Sequence, residues 1–106
     1  MAKIIKITKA IAGARLADVM QEKQFWCSDG RVLKNLPELK SALEQMSEDT
    51  FCRHSNETRS DFSNWVRDVI GDDKLSRDLQ KSKTRAQAAK AAADRIAWLR
   101  SRAEVG

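Results

Sequence analysis

The clearest helical pattern in the chain has large apolar side chains at positions i, i+3, i+4, i+7 and i+8. They are Phe62, Trp65, Val66, Val69 and Ile70. This spacing places them on one helix face, which we expect to be buried. Gly71 suits the end of that helix, and Asp72 or Asp73 suits the start of another whose inner residues are Leu75 and Leu79. The pattern predicts two helices joined by a tight corner.

Another long helix is predicted from Thr84 to Ala103, where the chain is rich in Ala, Arg and Lys and holds no helix-breaking residue. Its apolar residues follow steps of three and four and form a narrow stripe: Ala89, Ala92, Ile96, Leu99 and Ala103. Such a stripe is typical of a helix that packs against another helix. Trp98 lies off the stripe by about 100° or more, so it either contacts a second surface or is exposed.

Two further helices are predicted nearer the N-terminus. Leu36, Leu39, Leu43 and Met46 recur at helical steps. Asn35 precedes them and is a good N-cap residue. Residues 1–20 predict a basic amphipathic helix that is broken or kinked near Gly13.

A short β-hairpin is predicted around Asp29 and Gly30. Phe25 and Cys27 alternate with polar residues before this pair, and β-prone residues follow it. An Asp-Gly pair in this setting is typical of a hairpin, because a type I′ turn needs two positive φ angles. Residues 50–54 could add a short strand beside it.

Together these elements predict a mostly α fold with one short β-hairpin, a small α+β protein whose helices pack around a single core. We divide it into an N-terminal basic helix at residues 1–20, a compact domain at 21–83 and a long C-terminal helix at 84–106. The predicted core comprises Phe25, Leu33, Leu36, Leu39, Leu43, Met46, Phe51, Phe62, Trp65, Val66, Val69, Ile70, Leu75 and Leu79.

The composition fits one globular domain. Of 106 residues, 42% are hydrophobic and 33% are charged, which is enough apolar material for a core. No apolar run approaches the roughly 20 residues that cross a bilayer, and Lys6 and Lys9 interrupt any signal-peptide segment. We therefore predict a cytoplasmic protein with no membrane partner. Cys27 and Cys52 are too few for a disulfide framework and are expected to be buried, reduced thiols.

The chemically reactive residues form no recognisable catalytic or metal-binding motif. Cys27, Cys52 and His54 supply three soft ligands, whereas structural zinc needs four in paired close spacings. His54 could pair with Asp61 or Asp68, but no nucleophile or oxyanion site accompanies it, so a histidine bonded to nearby backbone is expected. The familiar nucleotide-binding and hydrolase motifs are absent from the sequence. We expect a non-enzymatic protein with no cofactor, no metal and no small-molecule substrate.

Charge is unevenly distributed along the chain. Residues 1–15 hold four basic and no acidic residues, while residues 16–73 hold seven basic and twelve acidic residues. Residues 74–102 hold nine basic residues against Asp78 and Asp94, a net charge of +7. A chain with this distribution presents its positive charge mainly at the C-terminal end.

The basic C-terminal segment leads to our first functional expectation, contact with nucleic acid through phosphate neutralisation. The residues expected to make this contact are Lys81, Lys83, Arg85, Lys90, Arg95, Arg100 and Arg102. The alternative is that they only solvate an alanine-rich surface helix, and their spread around the helix favours this alternative.

A protein partner is the second functional expectation, in an adaptor or a self-assembling subunit. The residues expected at its interface are Ala89, Ala92, Ile96, Trp98 and Leu99. The basic end and acidic middle of the chain could also pair between copies of a homo-oligomer.

Part of the chain resembles a known family. The residues that carry the resemblance are Phe25, Asp29 to Arg31, Leu33 to Leu39, Phe51 to His54 and Asp61 to Asp72, which read as an aromatic start, D-G-R, L-x-x-L-x-E-L, F-x-x-H and D-F-x-x-W-x-x-D-V-x-G-D. On these motifs, residues 25–79 resemble a domain family of unknown function found mainly in archaea and in some bacteria. Pro37 and Cys52 depart from its pattern. The resemblance implies no activity, and it implies that residues 1–20 and 84–106 are additions particular to this protein.

Overall fold

The structure is a computed structural model that describes the backbone of residues 7–104 and the side chains of residues 7–103. In chain order its elements are α1 Lys9–Leu16, β1 Phe25–Trp26, β2 Val32–Leu33, α2 Leu36–Gln45, α3 Glu48–His54, α4 Asp61–Trp65, α5 Asp73–Lys81 and α6 Arg85–Glu104. A 3₁₀ turn at Gln21–Lys23 precedes β1, and a π-helical segment at Val66–Ile70 continues α4. The two strands are antiparallel. The predicted fold class, mostly α with one short hairpin, is confirmed.

Local signals in the sequence account for several helix ends. The Asn35 side chain accepts a hydrogen bond from the backbone N–H of Glu38 at 2.8 Å, and the Asp72 side chain accepts one from that of Leu75 at 2.9 Å. Gly71 has a φ of 86°, in the left-handed region that favours glycine. The predicted corner between two helices is confirmed.

The core lies where α6 packs against α1 and α2. The buried residues that α6 supplies are Ala88, Ala89, Ala92, Ile96 and Leu99. Alanine on this face lets the neighbouring helices approach closely. Ala12 of α1 joins the same buried cluster, so segments 1–20, 21–83 and 84–106 share one core where they are described. Both flanking helices are therefore part of the folded domain.

The predicted core residues are buried, except that Phe25, Val69 and Ile70 are only partly buried against the rest. Phe25 still closes an aromatic cluster, with its ring centroid 5.1 Å from that of Phe62 and 6.0 Å from that of Trp65. The Trp65 indole N–H donates to the carbonyl of Lys23 at 2.8 Å, which joins the 3₁₀ turn to α4.

Several local predictions are wrong. Gly13 lies inside α1 and does not break it. Residues 50–54 belong to α3, because Ser47 caps a helix there by accepting a backbone N–H at 3.1 Å. The hairpin does not turn through a type I′ pair, since only Gly30 of the turn has a positive φ, 96°. Cys52 is exposed, although Cys27 is buried as predicted and both thiols are free.

Candidate nucleic-acid interface

A buried carboxylate joins three helices. Asp72 lies directly before α5, and its side chain has no exposed surface. The Nε–H of Arg95, in α6, donates to its two oxygens at 3.1 and 2.9 Å. Nη1 of Arg15, in α1, donates to Oδ2 at 3.3 Å. This cluster therefore fixes α1, α5 and α6 relative to one another.

The chain that precedes Asp72 explains how its side chain reaches this position. The carbonyl of Val66 accepts hydrogen bonds from the N–H groups of Gly71 at 2.7 Å and Asp72 at 3.2 Å. The π-helical segment widens the last turn, and the positive φ of Gly71 then reverses the chain. Asp72 consequently points back between the helices. Single π-turns within α-helices are frequent at functional sites.

A cleft of about 280 Å³ opens beside this cluster. Its lining residues are Ile7, Arg15, Asp73, Lys74, Arg77, Arg95 and Trp98. Cations from α1, α5 and α6 thus meet at one concave surface, which is the arrangement expected for binding an anion. Asp73 opposes this charge, and Lys74 forms an ion pair with Asp78.

Trp98 holds two guanidinium groups at the edge of the cleft. Cζ of Arg95 lies 4.4 Å from the ring centroid, and Cζ of Arg102 lies 4.9 Å from it. One arginine comes from the helical turn before Trp98 and the other from the turn after. Such cation–π contacts are worth about 0.5 to 1 kcal/mol each at exposed sites. They restrict Arg102, whose charge would otherwise move freely at the surface.

Three residues on α5 and three on α6 follow the same spacing, and all but Trp98 are basic. Lys74, Arg77 and Lys81 lie at i, i+3 and i+7 on α5, as Arg95, Trp98 and Arg102 do on α6. Residues at this spacing share one side of a helix. We call these six residues together with Arg15 the basic face.

The predicted phosphate contacts divide into separate groups. Lys81, Arg95 and Arg102 belong to the basic face. Lys90 and Arg100 lie about 140° around α6 from Arg95, in opposite directions, by the helical period. Lys90 also pairs with Asp94 at 2.7 Å, and Lys83 is exposed in the link between α5 and α6.

Arg85 was expected to contact phosphate, but its guanidinium group makes hydrogen bonds inside the protein. Nη1 donates to the carbonyls of Leu43 at 2.8 Å and Glu44 at 2.9 Å, at the C-terminal end of α2. Nε donates to Glu48 at 3.0 Å. Arg85 therefore caps α2 through Nη1, and its charge is partly neutralised by Glu48.

The stripe that was expected to form an interface is buried instead. Ala89, Ala92, Ile96 and Leu99 pack inside the chain's own core, and the most exposed of them, Ala89, is only 9% exposed. They cannot contact another chain while the core is intact. Trp98 is 36% exposed, so of the predicted interface residues it alone remains at the surface.

His54 bonds to backbone, as predicted, and it also pairs with Asp61. Its Nε2 accepts the N–H of Ser28 at 3.0 Å, so the ring proton is on Nδ1 and is donated to Asp61 at 2.9 Å. Both ring nitrogens are occupied, and the side chain is buried. Burial raises the pKa of the nearby Cys27 thiol, which lowers its thiolate fraction at neutral pH. Over residues 7–103, no group of three His, Cys, Asp or Glu side chains is placed to hold a metal ion.

Sequence reasoning missed Arg15, Lys74 and Arg77 as members of the basic face. The spacing of Lys74, Arg77 and Lys81 was a usable signal, because it matches that of Arg95, Trp98 and Arg102. Nothing local could have indicated Arg15.

No family model, curated protein or solved structure matches the chain. The resemblance of residues 25–79 to the archaeal domain family therefore stays a prediction. Among the helices of the described residues, none has the length and apolar character that a membrane crossing requires. The cytoplasmic location also stays a prediction.

Proposed function

We propose that the protein binds nucleic acid by phosphate contacts made through the basic face. The observation that carries this proposal is the placing of two guanidinium groups, of Arg95 and Arg102, on the exposed ring of Trp98, beside a cleft that Arg77 also lines. Guanidinium groups match the geometry of phosphate oxygens. Each phosphate that they neutralise releases a bound counterion, which favours association.

The geometry also answers the argument that the basic residues are too scattered to bind. On the C-terminal helix alone, Lys90 and Arg100 do lie on other sides. Arg15, Lys74 and Arg77 from neighbouring helices line one cleft with Arg95, and Arg102 lies beside that cleft on the Trp98 ring. A surface made by three helices supports binding better than one helix does.

The acidic residues near this surface set the expected strength. Asp73 lines the cleft, and Asp78 neutralises Lys74. We therefore expect the affinity of non-specific binding, with a dissociation constant of about 10⁻⁴ to 10⁻⁶ M at physiological salt.

Fluorescence anisotropy with labelled single-stranded and duplex oligonucleotides tests the proposal. Binding is measured between about 50 and about 200 mM salt, because affinity should fall steeply over this range. The test variant carries Arg77→Gln and Arg102→Gln. The control variant carries Lys90→Gln and Arg100→Gln, which remove the same charge from other sides of the protein.

The test variant should lower the slope of log affinity against log salt by about two units, one for each lost phosphate contact. The control variant should keep most of the affinity. Equal losses in the two variants would show that only net charge matters and that no basic face exists. No binding to any oligonucleotide at about 50 mM salt would refute the proposal itself.

A protein partner is the second candidate function, on a different surface from the one predicted. Trp26 is 72% exposed, and its cross-strand neighbour Val32 is 37% exposed. The two side chains lie on the outer side of the hairpin, where apolar groups of this size suit contact with a second copy. Light scattering over a concentration series tests this, with Trp26→Ser expected to abolish any increase in mass. A monomer at every concentration would rule out self-assembly.

A further inference from the structure

We infer that the cleft between α1, α5 and α6 is a site for a dianionic phosphate group, either the 5′-phosphate end of a nucleic acid or free phosphate. The choice of a nucleic-acid end as ligand rests on the proposed function. The site itself is argued from the donors, the charge and the size of the cleft.

The first step concerns the hydrogen-bond donors. A guanidinium group has five N–H donors. Arg95 uses only Nε on Asp72, and Arg15 uses only Nη1. Within residues 7–103 no buried side-chain nitrogen or oxygen lacks a partner. The remaining N–H groups therefore reach solvent, and both arginines line the cleft.

The second step concerns how firmly these donors are held. The side chains of Arg15 and Arg95 are 17% and 12% exposed, and both are fixed by a carboxylate that is fully buried. Donors fixed before binding lose little conformational entropy when the ligand arrives. A buried ion cluster is by itself weak evidence for stability, because apolar residues of similar size often serve as well. A role in binding explains why three charges are kept here.

The third step concerns charge. The Lys74–Asp78 pair is taken as neutral. The remaining positive charges at the cleft are those of Arg15, Arg77 and Arg95, and the negative charges are those of Asp72 and Asp73, so one positive charge is in excess. Arg102 adds another beside Trp98. A terminal phosphate carries about −1.5 to −2 at neutral pH, more than the single charge of a backbone phosphodiester. The site therefore favours the dianion.

The fourth step concerns size. The cleft volume of about 280 Å³ lies just below the roughly 300 to 1,000 Å³ of typical small-molecule pockets. It accommodates a phosphate group and the start of its ester. The rest of a nucleic acid would extend along the basic face, past Trp98.

Titration with inorganic phosphate, followed by NMR of the arginine Nε–H groups, tests the site directly. Chloride at equal ionic strength is the control titrant. We expect the Arg95 Nε–H signal to shift with phosphate and to reach saturation. Arg77→Gln should weaken phosphate binding about tenfold, the loss of one charge-assisted hydrogen bond. Because Arg77 is exposed and outside the Asp72 cluster, the fold should be unaffected, and Lys90→Gln should change nothing.

A second measurement separates this inference from the proposed function. Two oligonucleotides of one sequence are compared, one with a 5′-phosphate end and one with a 5′-hydroxyl end. The 5′-phosphorylated oligonucleotide should bind about tenfold more tightly. If both bind equally and inorganic phosphate shifts no arginine signal, the site is refuted while the proposed function stands. If phosphate saturates the site but neither oligonucleotide binds, the cleft takes free phosphate and the proposed function is wrong.

Discussion

Replacing Asp72 by Ala tests the buried ion cluster most directly. The change removes the hydrogen bonds from Arg15 and Arg95, and the cap on the N–H of Leu75. Removing one partner of a buried ion pair costs about 3 to 5 kcal/mol, and losing an N-cap costs about 1 kcal/mol. Since both arginines reach the cleft and can be rehydrated there, we expect a total loss of about 3 to 4 kcal/mol.

Asp72→Asn separates the two contributions. Asparagine caps a helix about as well as aspartate does and has nearly the same shape, so this variant keeps the cap while it removes the charge and turns one acceptor oxygen into an NH2 donor. It should be more stable than Asp72→Ala by about 1 kcal/mol.

Urea unfolding measures these differences, with the dependence on denaturant expected to stay constant across the variants. A loss of about 3 to 4 kcal/mol is a large part of the 5 to 15 kcal/mol typical of a domain. If the free energy of unfolding of Asp72→Ala lies within about 0.5 kcal/mol of the wild-type value, the three-helix ion cluster does not stabilise the fold, and the reasoning is refuted.

A triple variant, Arg15→Met, Asp72→Asn and Arg95→Met, then separates folding from binding. It removes all three charges and keeps the cap and the apolar stems of the side chains. Replacing a whole buried cluster is often neutral or stabilising, so we expect stability within about 1 kcal/mol of the wild type, together with loss of phosphate binding. A triple variant as unstable as Asp72→Ala would show that the charges serve the fold.

Three other predictions concern the core, a turn and the thiols. Trp65→Ala should cost about 3 to 5 kcal/mol in urea unfolding, and an unchanged midpoint would contradict its burial. Gly71→Ala should cost about 1 kcal/mol or more, because its φ of 86° is left-handed, whereas Gly13→Ala, within α1, should be neutral or stabilising. Cys52 should react quickly with a thiol reagent at neutral pH and Cys27 slowly, because the raised pKa of Cys27 leaves little thiolate; equal rates would contradict this.

Most of the helices could be predicted because their signals are local. Asn35 and Gly71 act on residues within one turn of themselves, and the spacing of Phe62 and Trp65 identifies a buried face without knowledge of its neighbour. The strand prediction at residues 50–54 failed because Ser47 caps a helix at Glu48–His54. Serine at an N-cap is a local signal as well, but too few apolar residues follow Ser47 to show a helical period.

The basic face could be predicted only in part, because burial and pairing decide it. Arg15 and Asp72 are 57 residues apart, and Arg95 is 23 residues from the same carboxylate. Arg85 finds its carbonyl partners 42 and 41 residues away. No pattern within a helix indicates such contacts, so sequence reasoning treated every arginine of α6 as exposed.

The net charge of residues 74–102 is therefore a poor guide to what a ligand meets. Lys74, Arg85, Lys90 and Arg95 each have a carboxylate partner within the chain. Over residues 7–103, no carboxylate pairs with the side chains of the other five: Arg77, Lys81, Lys83, Arg100 and Arg102. Arg77 lines the cleft and Arg102 lies over Trp98, and neither pairs with a carboxylate of residues 7–103. The position of a basic residue should therefore matter more for binding than the total charge. Comparing variants of equal charge on and off the basic face is for this reason the measurement that separates recognition of phosphate from general attraction to a polyanion.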